Sequence, residues 1–292
     1  MAEHRCGLSQ RRISMYYEVT GTSQLSETAY ERLLEELPPK RRESTQKLLF
    51  ARDRYASASA WVLLRHALMF EHGIDPNTLE LAKGPCGKPS FTPENGIHFN
   101  ISHSRDAVMC ALADTPVGCD VQAYEEIPLS DSNLEQHVLC ANEQAFLNAL
   151  QGSERQRALT LFWVAKESLT KQIGCGLTTN IQKFDFSHPL QQYLTENPPT
   201  NTPFVFEKPE RHNTLHDGKS ERNRSKNNSR DTPLSMKACG TSEKSYLRSN
   251  PFVFSAYDLT FSLYEKAAAA FCACSPHSLA HGPASAFPYE LP

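Results

Sequence analysis

The sequence lacks any apolar run long enough to cross a membrane. A spanning helix needs roughly 20 apolar residues, and no stretch approaches that length. The N-terminal residues MAEHRCGLSQRR are polar and charged, unlike a secretory leader. These absences predict a cytoplasmic protein that is not inserted in a membrane.

A dominant charge of one sign is also missing. The 30 basic and 33 acidic residues leave a formal net charge of −3. The chain as a whole therefore has no strong field to attract nucleic acid or an anionic membrane surface. We expect no nucleic-acid partner, and any charged partner must be recruited by local patches.

A regular, even-numbered set of cysteines is absent as well. The nine cysteines are scattered and lie mostly inside apolar segments, and the one close pair, Cys272 and Cys274, lies in an alternating apolar strand. We interpret them as small buried hydrophobic residues in a reducing compartment rather than as disulfides or metal thiolates. The 292 residues can bury a substantial core and suggest one or two domains.

The most informative stretch runs from His98 to Gln122, HFNISHSRDAVMCALADTPVGCDVQ. The alternation of apolar and polar residues predicts three strands, at 98–102, 107–114 and 117–122. Asp120 and Gln122 share one face of the last strand. They are then about 6–7 Å apart, a spacing that one hard cation could bridge.

Two long helices are predicted on either side of this stretch. The first covers Ala51–His72, and the second begins at Ser153 as N-cap and ends before Gly174. In the second helix Glu167 and Lys171 are four residues apart and share a face. By itself this spacing is common in exposed Glu–Lys pairs. A WxxKExxxK face that follows a strand ending in DVQ is not common, and it favours a functional site.

Basic residues cluster ahead of the first long helix, where Lys40, Arg41 and Arg42 follow Pro38-Pro39. On composition alone, a solvated helix face explains such a cluster. Further along, the turn-forming sequence GPCG places Lys88 at a strand entrance on a constrained backbone. A lysine fixed in this way suits a phosphate group, and an ordinary loop lysine is the alternative.

Four short motifs then occur in order: GKPSF at 87–91, FNISHS at 99–104, VGCDVQ at 117–122 and FWVAKESLTK at 162–171. Together they resemble the larger, two-subdomain type of 4′-phosphopantetheinyl transferase, over roughly residues 37–181. The resemblance implies Mg²⁺-dependent transfer of 4′-phosphopantetheine from coenzyme A to a serine of an acyl or peptidyl carrier protein, with release of adenosine 3′,5′-bisphosphate. It also implies a monomer with an α+β fold, in which two similar α+β subdomains are related by a pseudo-twofold.

The resemblance further implies roles for individual residues. Coenzyme A would be bound by Lys40, Arg41, Ser57, Lys88, Ser102 and His103. The metal would be bound by Asp120, Gln122 and Glu167. Catalysis would depend on Glu167 near the nucleophile and on two lysines that stabilise phosphoryl charge, Lys171 and Lys166.

One position departs from the family pattern. The family usually has an acidic residue two positions after the strand aspartate, where this chain has Gln122. A glutamine carbonyl can bind Mg²⁺ but carries no negative charge, so we expect weaker metal binding. Glu125 and Glu126 follow closely, and we expect both to face water. Gln122 also supports an alternative, a non-catalytic relative that binds coenzyme A or a carrier protein; a different Mg²⁺-dependent nucleotide enzyme on a similar fold is a second alternative.

Thr115-Pro116 marks the predicted boundary between an N-terminal subdomain, residues 1–115, and a C-terminal subdomain, residues 116–292. Residues 208–250 are rich in Lys, Arg, Asn, Ser and Asp and contain few aliphatic residues. Such a segment buries too little apolar surface to offset its ordering entropy, which predicts a disordered insertion. We also expect a strand to start at Phe184–Phe186 and the Pro-rich tail after Ser275 to lack regular structure.

Overall fold

The computed structural model describes residues 13–19, 26–84, 86–92, 96–104, 107–127, 132–176, 180–198, 252–257, 259–266, 269–276 and 285–288. The predicted insertion at 208–250 lies outside these residues. The helices in the described part are α1 (Glu27–Glu35), α2 (Pro39–Gln46), α3 (Ala51–His72), α4 (Ser132–Val138), α5 (Ala141–Asn148), α6 (Gly152–Ile173) and α7 (Ser187–Glu196). The strands are β1 (Ile13–Val19), β2 (Glu80–Lys83), β3 (Pro89–Thr92), β4 (His98–Ser104), β5 (Ala107–Ala113), β6 (Gly118–Ala123), β7 (Phe252–Ala256), β8 (Leu259–Lys266), β9 (Ala269–Pro276) and β10 (Ser285–Pro288).

The strands form two four-stranded sheets and one small hairpin. The first sheet has the order β10-β1-β5-β4, the second has the order β6-β9-β8-β7, and β2 pairs with β3. β10 pairs with β1 in parallel, with Ser285 opposite Ser14. The expectation of a tail without regular structure is therefore wrong at 285–288. Without β10, β1 would be the edge of this sheet with unpaired backbone groups, and backbone pairing does not require an alternating side-chain pattern.

The same succession of elements occurs twice along the chain. β1, α3 and the hairpin β4–β5 form the first half, and β6, α6 and the hairpin β8–β9 form the second, with the equivalent strand orders β1-β5-β4 and β6-β9-β8. α3 and α6 each have 22 residues and end at a glycine in the left-handed conformation, Gly73 at φ 65° and Gly174 at φ 76°. These two similar α+β halves confirm the predicted fold class.

Three apolar clusters stabilise the two halves. One packs α3, with Trp61, against the first sheet, and another packs α6, with Phe162, against the second sheet. The third lies between the sheets and contains residues of β1, β5, β6 and β9; in it the rings of Tyr17 and Phe271 are 5.2 Å apart. Each sheet thus has a long helix on one face and the other sheet on the opposite face. Among the described residues, α3 and α6 included, no helix is apolar and long enough to span a bilayer.

Two local predictions are wrong in instructive ways. The N-cap of α6 is Gln151 rather than Ser153, and it makes no side-chain capping bond. Residues 184–186 form no strand, because side chains already satisfy their backbone donors. The N–H of Phe186 donates to Glu143 at 2.9 Å, and the N–H of Asp185 donates to the Tyr257 hydroxyl at 2.6 Å.

In addition to the packing of their faces, the edge strands β4 and β6 of the two sheets lie side by side. They are joined through side chains rather than through a backbone ladder. Three alternate polar residues of β4 accept hydrogen bonds from backbone N–H groups of β6: Asn100 from Cys119 at 2.8 Å, Ser102 from Val121 at 3.4 Å and Ser104 from Ala123 at 2.8 Å. We call this row of contacts the β4–β6 seam. It satisfies the backbone donors of one edge strand and fixes the register between the two halves.

β6 also lies directly against the backbone of α6. A Cβ atom built on Gly118 would be 2.0 Å from the carbonyl oxygen of Ser168 and 2.3 Å from the backbone nitrogen of Gln172. Only a residue without a side chain permits this approach. The contact fixes the position of α6, and therefore of Glu167 and Lys171, relative to the strand that carries Asp120.

Lys166 does not lie on this face of α6, so its assignment to catalysis is corrected by the structure. Its side chain is fully buried and forms an ion pair with the equally buried Glu143 at 2.9 Å. The ammonium also donates to the carbonyl oxygens of Ile181 at 3.2 Å and Phe184 at 2.5 Å. With these acceptors around it, Lys166 stabilises the packing of α5, α6 and the turn before α7.

Gly118→Ala should destabilise the protein by about 3 kcal/mol or more, because the neighbouring atoms belong to backbone and cannot rotate away. Gly84→Ala is the matched control: a Cβ there meets nothing closer than the Lys88 carbonyl oxygen at 3.6 Å. Urea unfolding of both variants measures the difference. Equal stability of the two would show that β6 and α6 are not in backbone contact.

Lys166→Met should cost about 3–5 kcal/mol of unfolding free energy, because it leaves the buried Glu143 carboxylate without its cation. The double variant Lys166→Met/Glu143→Gln should be more stable than the single variant, since the uncompensated charge is gone. Thermal and urea unfolding measure both. A Lys166→Met protein with unchanged stability and lost activity would restore the catalytic assignment.

Candidate active site

A cluster of one carboxylate, one ammonium and one hydroxyl lies where the β4–β6 seam meets α6. The Asp120 Oδ1 atom accepts a hydrogen bond from Ser102 Oγ at 2.7 Å and another from Lys171 Nζ at 2.5 Å. Lys171 also donates to Ser102 Oγ at 3.0 Å. Burial alone would lower the pKa of Lys171, but Asp120 outweighs this effect and raises the pKa. The ammonium is therefore charged at neutral pH.

The other oxygen of Asp120 is the least satisfied polar atom of the cluster. Asp120 is only 5% exposed, and within the described part of the chain no donor reaches its buried Oδ2 atom. A buried carboxylate oxygen without a hydrogen bond is costly unless a ligand completes it. A cation at this oxygen would remove that cost, so the arrangement fits a bound metal ion.

Glu167 is the second carboxylate near this position. Its burial and the neighbouring Asp120 carboxylate raise the pKa of Glu167, while Lys171 acts in the opposite direction. Carboxylate oxygens of this kind are the protein ligands that Mg²⁺ prefers. Asp120 and Glu167 therefore supply the carboxylate oxygens that a Mg²⁺ site requires.

Gln122 lies two residues beyond Asp120 on β6, and its side chain is half-buried. Its amide Nε2 donates to the Glu126 carboxylate at 2.8 Å. Ser104 of the β4–β6 seam also donates to this carboxylate. Glu126 therefore folds back onto the strand, contrary to the expectation that it faces water.

His103 follows Ser102 at the edge of the first sheet. Desolvation, Lys171 and Arg41, in that order, lower the pKa of His103. The imidazole is therefore neutral at neutral pH and can donate or accept one hydrogen bond without adding a charge. The influence of both cations shows that α2, the end of β4 and α6 converge on the same region.

Arg41 lies in α2 between the solvent and α3. Its Nη2 atom donates to the buried Ser57 hydroxyl at 2.9 Å, and its guanidinium carbon lies 5.6 Å from the centroid of the Trp61 ring. Desolvation lowers the pKa of Arg41, and no carboxylate is paired with it among the described residues. Ser57 thus positions Arg41, and its predicted contact with the ligand stays a prediction.

Lys88 and Lys40 lie in different surroundings. The Lys88 ammonium donates to the carbonyl oxygens of Val117 at 2.8 Å and Gln172 at 3.1 Å, which links the first half to β6 and to the C-terminal end of α6. Burial lowers the pKa of Lys88, and its third ammonium proton has no acceptor within the described part of the chain. Lys40 is exposed on α2.

The structure thus brings Ser102, Asp120, Glu167 and Lys171 into one cluster, with His103 and Arg41 beside it. Sequence reasoning missed the positioning contacts of Asn100, Ser104 and Glu126. The alternation of three short polar residues in FNISHS was the signal for the first two. No sequence signal indicates which of two adjacent glutamates turns back toward Gln122.

Comparison with known proteins agrees with this arrangement. The family model described as 4′-phosphopantetheinyl transferase, N-terminal, matches residues 24–115, and the model of the 4′-phosphopantetheinyl transferase superfamily matches residues 116–232. The two matched ranges adjoin and are consecutive. They include β4, β6, α3 and α6, the elements that build the cluster.

Curated relatives are similar to about half of the chain or more. The 4′-phosphopantetheinyl transferase Sfp of Bacillus subtilis (strain 168) is 27% identical over 180 residues, which cover 61% of this chain and 79% of the relative. The 4′-phosphopantetheinyl transferase gsp of Aneurinibacillus migulanus is 32% identical over 133 residues, 46% of this chain and 54% of the relative. The phosphopantetheinyl transferase of Thraustochytrium sp. is 29% identical over 166 residues, 52% of this chain and 57% of the relative.

Two adjoining family models, the similar relatives and the repeated α+β halves lead to one assignment. The chain belongs to the 4′-phosphopantetheinyl transferase superfamily, as a larger member with two subdomains.

Proposed function

We propose that the protein transfers 4′-phosphopantetheine from coenzyme A to a serine hydroxyl of an acyl or peptidyl carrier protein, with Mg²⁺, and releases adenosine 3′,5′-bisphosphate. We further propose that it acts as a cytoplasmic monomer. In this proposal the donor lies between the N-terminal part, residues 1–115, and the C-terminal part, residues 116–292.

One observation carries the proposal. The buried Asp120 Oδ2 atom has no donor among the described residues, while Oδ1 is held by Ser102 and Lys171. A carboxylate that is rigidly positioned by one oxygen and left open at the other is prepared for a cation. Glu167 beside it supports a divalent ion, because two carboxylates and a neutral amide balance two positive charges.

In this scheme Asp120, Glu167 and Gln122 bind the metal ion, which when bound neutralises charge on the pyrophosphate oxygens. Glu167, which lies near Asp120 and Lys171, accepts the proton of the carrier serine. Lys171 is charged at neutral pH and donates hydrogen bonds to phosphoryl oxygens whose charge increases in the transition state. Ser102 positions both Asp120 and Lys171.

The donor molecule is recognised mainly through its phosphate groups. Arg41 presents a guanidinium without a carboxylate partner among the described residues, held by Ser57 and Trp61, and suits bidentate phosphate binding. Lys40, on the same helix, adds an exposed charge. The neutral His103 and the remaining proton of Lys88 provide further donors. Carrier proteins are acidic, so Lys40 and its neighbours are also candidate docking contacts.

Purified protein incubated with an apo carrier protein, coenzyme A and Mg²⁺ should add one phosphopantetheine group to one serine, because the cluster supplies a cation site, a base and phosphate ligands. Intact-protein mass spectrometry measures the adduct, and nucleotide chromatography measures the released bisphosphate. Folded enzyme that modifies no carrier from fatty-acid, polyketide or peptide synthases would refute transfer and favour a binding-only relative.

Asp120→Asn and Glu167→Gln should each lower kcat/KM by at least about 10²-fold, since each removes charge from the metal site with little change of volume. Glu154→Gln, an exposed carboxylate at the start of the same helix, is the matched control and should retain activity. Steady-state kinetics with coenzyme A and carrier protein measure all three. Normal turnover by either site variant would remove that residue from the mechanism.

Lys171→Ala should lower kcat by about 10²–10³-fold and raise the KM for coenzyme A less, because its interaction is strongest in the transition state. The same change removes the cation that now lies on Asp120. Mg²⁺ should therefore bind the variant more tightly than the wild type in the absence of coenzyme A. Calorimetry measures this affinity, and weaker binding would place Lys171 outside the metal site.

A further inference from the structure

The Glu126 carboxylate accepts hydrogen bonds from two side chains that lie beside the active-site cluster, those of Gln122 and Ser104. Gln122 donates its amide N–H at 2.8 Å, and Ser104 donates its hydroxyl to the same carboxylate oxygen. Glu126 is half-buried and lies in the 3₁₀ turn Tyr124–Glu126, directly after β6. Neither contact follows from the sequence, since Glu126 is outside the strand that carries Asp120.

The contact of Glu126 repeats the contact of Asp120. In both cases a serine of β4 accepts a backbone N–H of β6 and donates its hydroxyl to a carboxylate. Ser102 joins Val121 to Asp120, and two residues further along Ser104 joins Ala123 to Glu126. Residues two apart on a strand are separated by about 6–7 Å, so Glu126 is held one such step along the β4–β6 seam from Asp120.

The turn that carries Glu126 is itself fixed to α6. The Gln156 amide donates to the Ile127 carbonyl oxygen at 2.9 Å and also to the Tyr124 carbonyl oxygen. The Tyr124 hydroxyl donates to the Glu265 carboxylate of β8. Glu126 therefore lies in a defined position with respect to both β6 and α6.

The contact also determines which way the Gln122 amide faces. A carboxylate only accepts hydrogen bonds, so the NH₂ group of Gln122 must face Glu126 and its carbonyl oxygen must face away. On β6 the side chain of Gln122 is on the same face as that of Asp120. An amide held in this way presents an oxygen rather than a nitrogen to a cation, and the adjacent negative charge polarises that oxygen.

We propose that Glu126 is a positioning residue of the metal site: through Gln122 and the β4–β6 seam it supplies the negative charge that the family usually has at position 122. This inference rests on the proposed function. Outer carboxylates that orient the ligands of a metal in this way commonly change its affinity by about 10–100-fold. The pair Gln122–Glu126 would then replace one acidic ligand with a neutral amide ligand that is hydrogen-bonded to a carboxylate.

The test measures metal binding without turnover. Mn²⁺, whose sharp electron paramagnetic resonance signal in solution broadens and weakens when the ion binds to protein, is titrated into the full-length protein without coenzyme A. Glu126→Gln keeps the shape and an acceptor oxygen for Ser104 but removes the charge. Glu125→Gln removes the same charge from the adjacent residue and is the matched control.

We expect Glu126→Gln to bind Mn²⁺ about 10–100-fold more weakly than the wild type and Glu125→Gln to bind it like the wild type. The double variant Gln122→Glu/Glu126→Gln returns the carboxylate to position 122 and should recover most of the affinity. In transfer assays the Mg²⁺ concentration for half-maximal rate should change in the same order, while the KM for the carrier protein stays constant.

Several results would overturn the proposal. Equal Mn²⁺ affinity of Glu126→Gln and Glu125→Gln would show that the charge of Glu126 does not act on the metal. A lower melting temperature of Glu126→Gln with unchanged Mn²⁺ affinity would show that its contacts are only structural. Failure of the double variant to recover affinity, or no Mn²⁺ binding by the wild type, would also overturn the proposal. A wild type that binds Mn²⁺ but transfers nothing would instead refute the proposed function, because the binding measurements do not depend on transfer.

Discussion

The β4–β6 seam is the contact on which the active site depends. Two sheet edges meet there without a backbone ladder, and three short polar side chains of β4 satisfy the N–H groups of β6. The serines of this row have a second function, because a hydroxyl that accepts one hydrogen bond can donate another. Each donates to a carboxylate, so the contact that joins the halves also positions acidic side chains.

Two lysines of α6 show how burial and interaction partners determine whether a charged side chain stabilises the fold or can bind a ligand. Lys166 is fully enclosed with Glu143 and carbonyl oxygens, so it has no donor free for a substrate. Lys171 contacts Asp120 and is only partly enclosed, since its side chain is 29% exposed. A buried pair with complete partners contributes to packing, whereas a pair with one open oxygen and partial exposure can exchange partners with a ligand.

The substitution of a family acid by Gln122 changes the distribution of charge rather than removing it. Gln122 donates to Glu126, and the turn that carries Glu126 is held against α6. The structure therefore supplies a reason why Gln122 alone is weak support for a binding-only relative. A neutral amide that is hydrogen-bonded to a carboxylate still attracts a cation. The negative charge then lies farther from the cation than it would on a directly bound carboxylate.

The sequence by itself determined the family and most elements, and the two-half organisation followed from the resemblance to that family. α3 at 51–72 has the predicted bounds, because hydrophobic periodicity and glycine stops are local signals. The motifs predicted that Asp120 and Lys171 belong to one site, but not that they form an ion pair. Lys166 was misassigned although it shares a buried stripe with Phe162 and Leu169, a pattern that the helical period of about 100° per residue already contained.

Only the tertiary structure decided which polar groups complete one another. The parallel pairing of 285–288 with β1, the second hydrogen bond of each seam serine and the return of Glu126 all join residues that are distant in sequence or lie outside any periodic element. Local propensity carries no information about such contacts. They form because a buried donor or acceptor must find a partner, and the partner is fixed only when the two halves pack together.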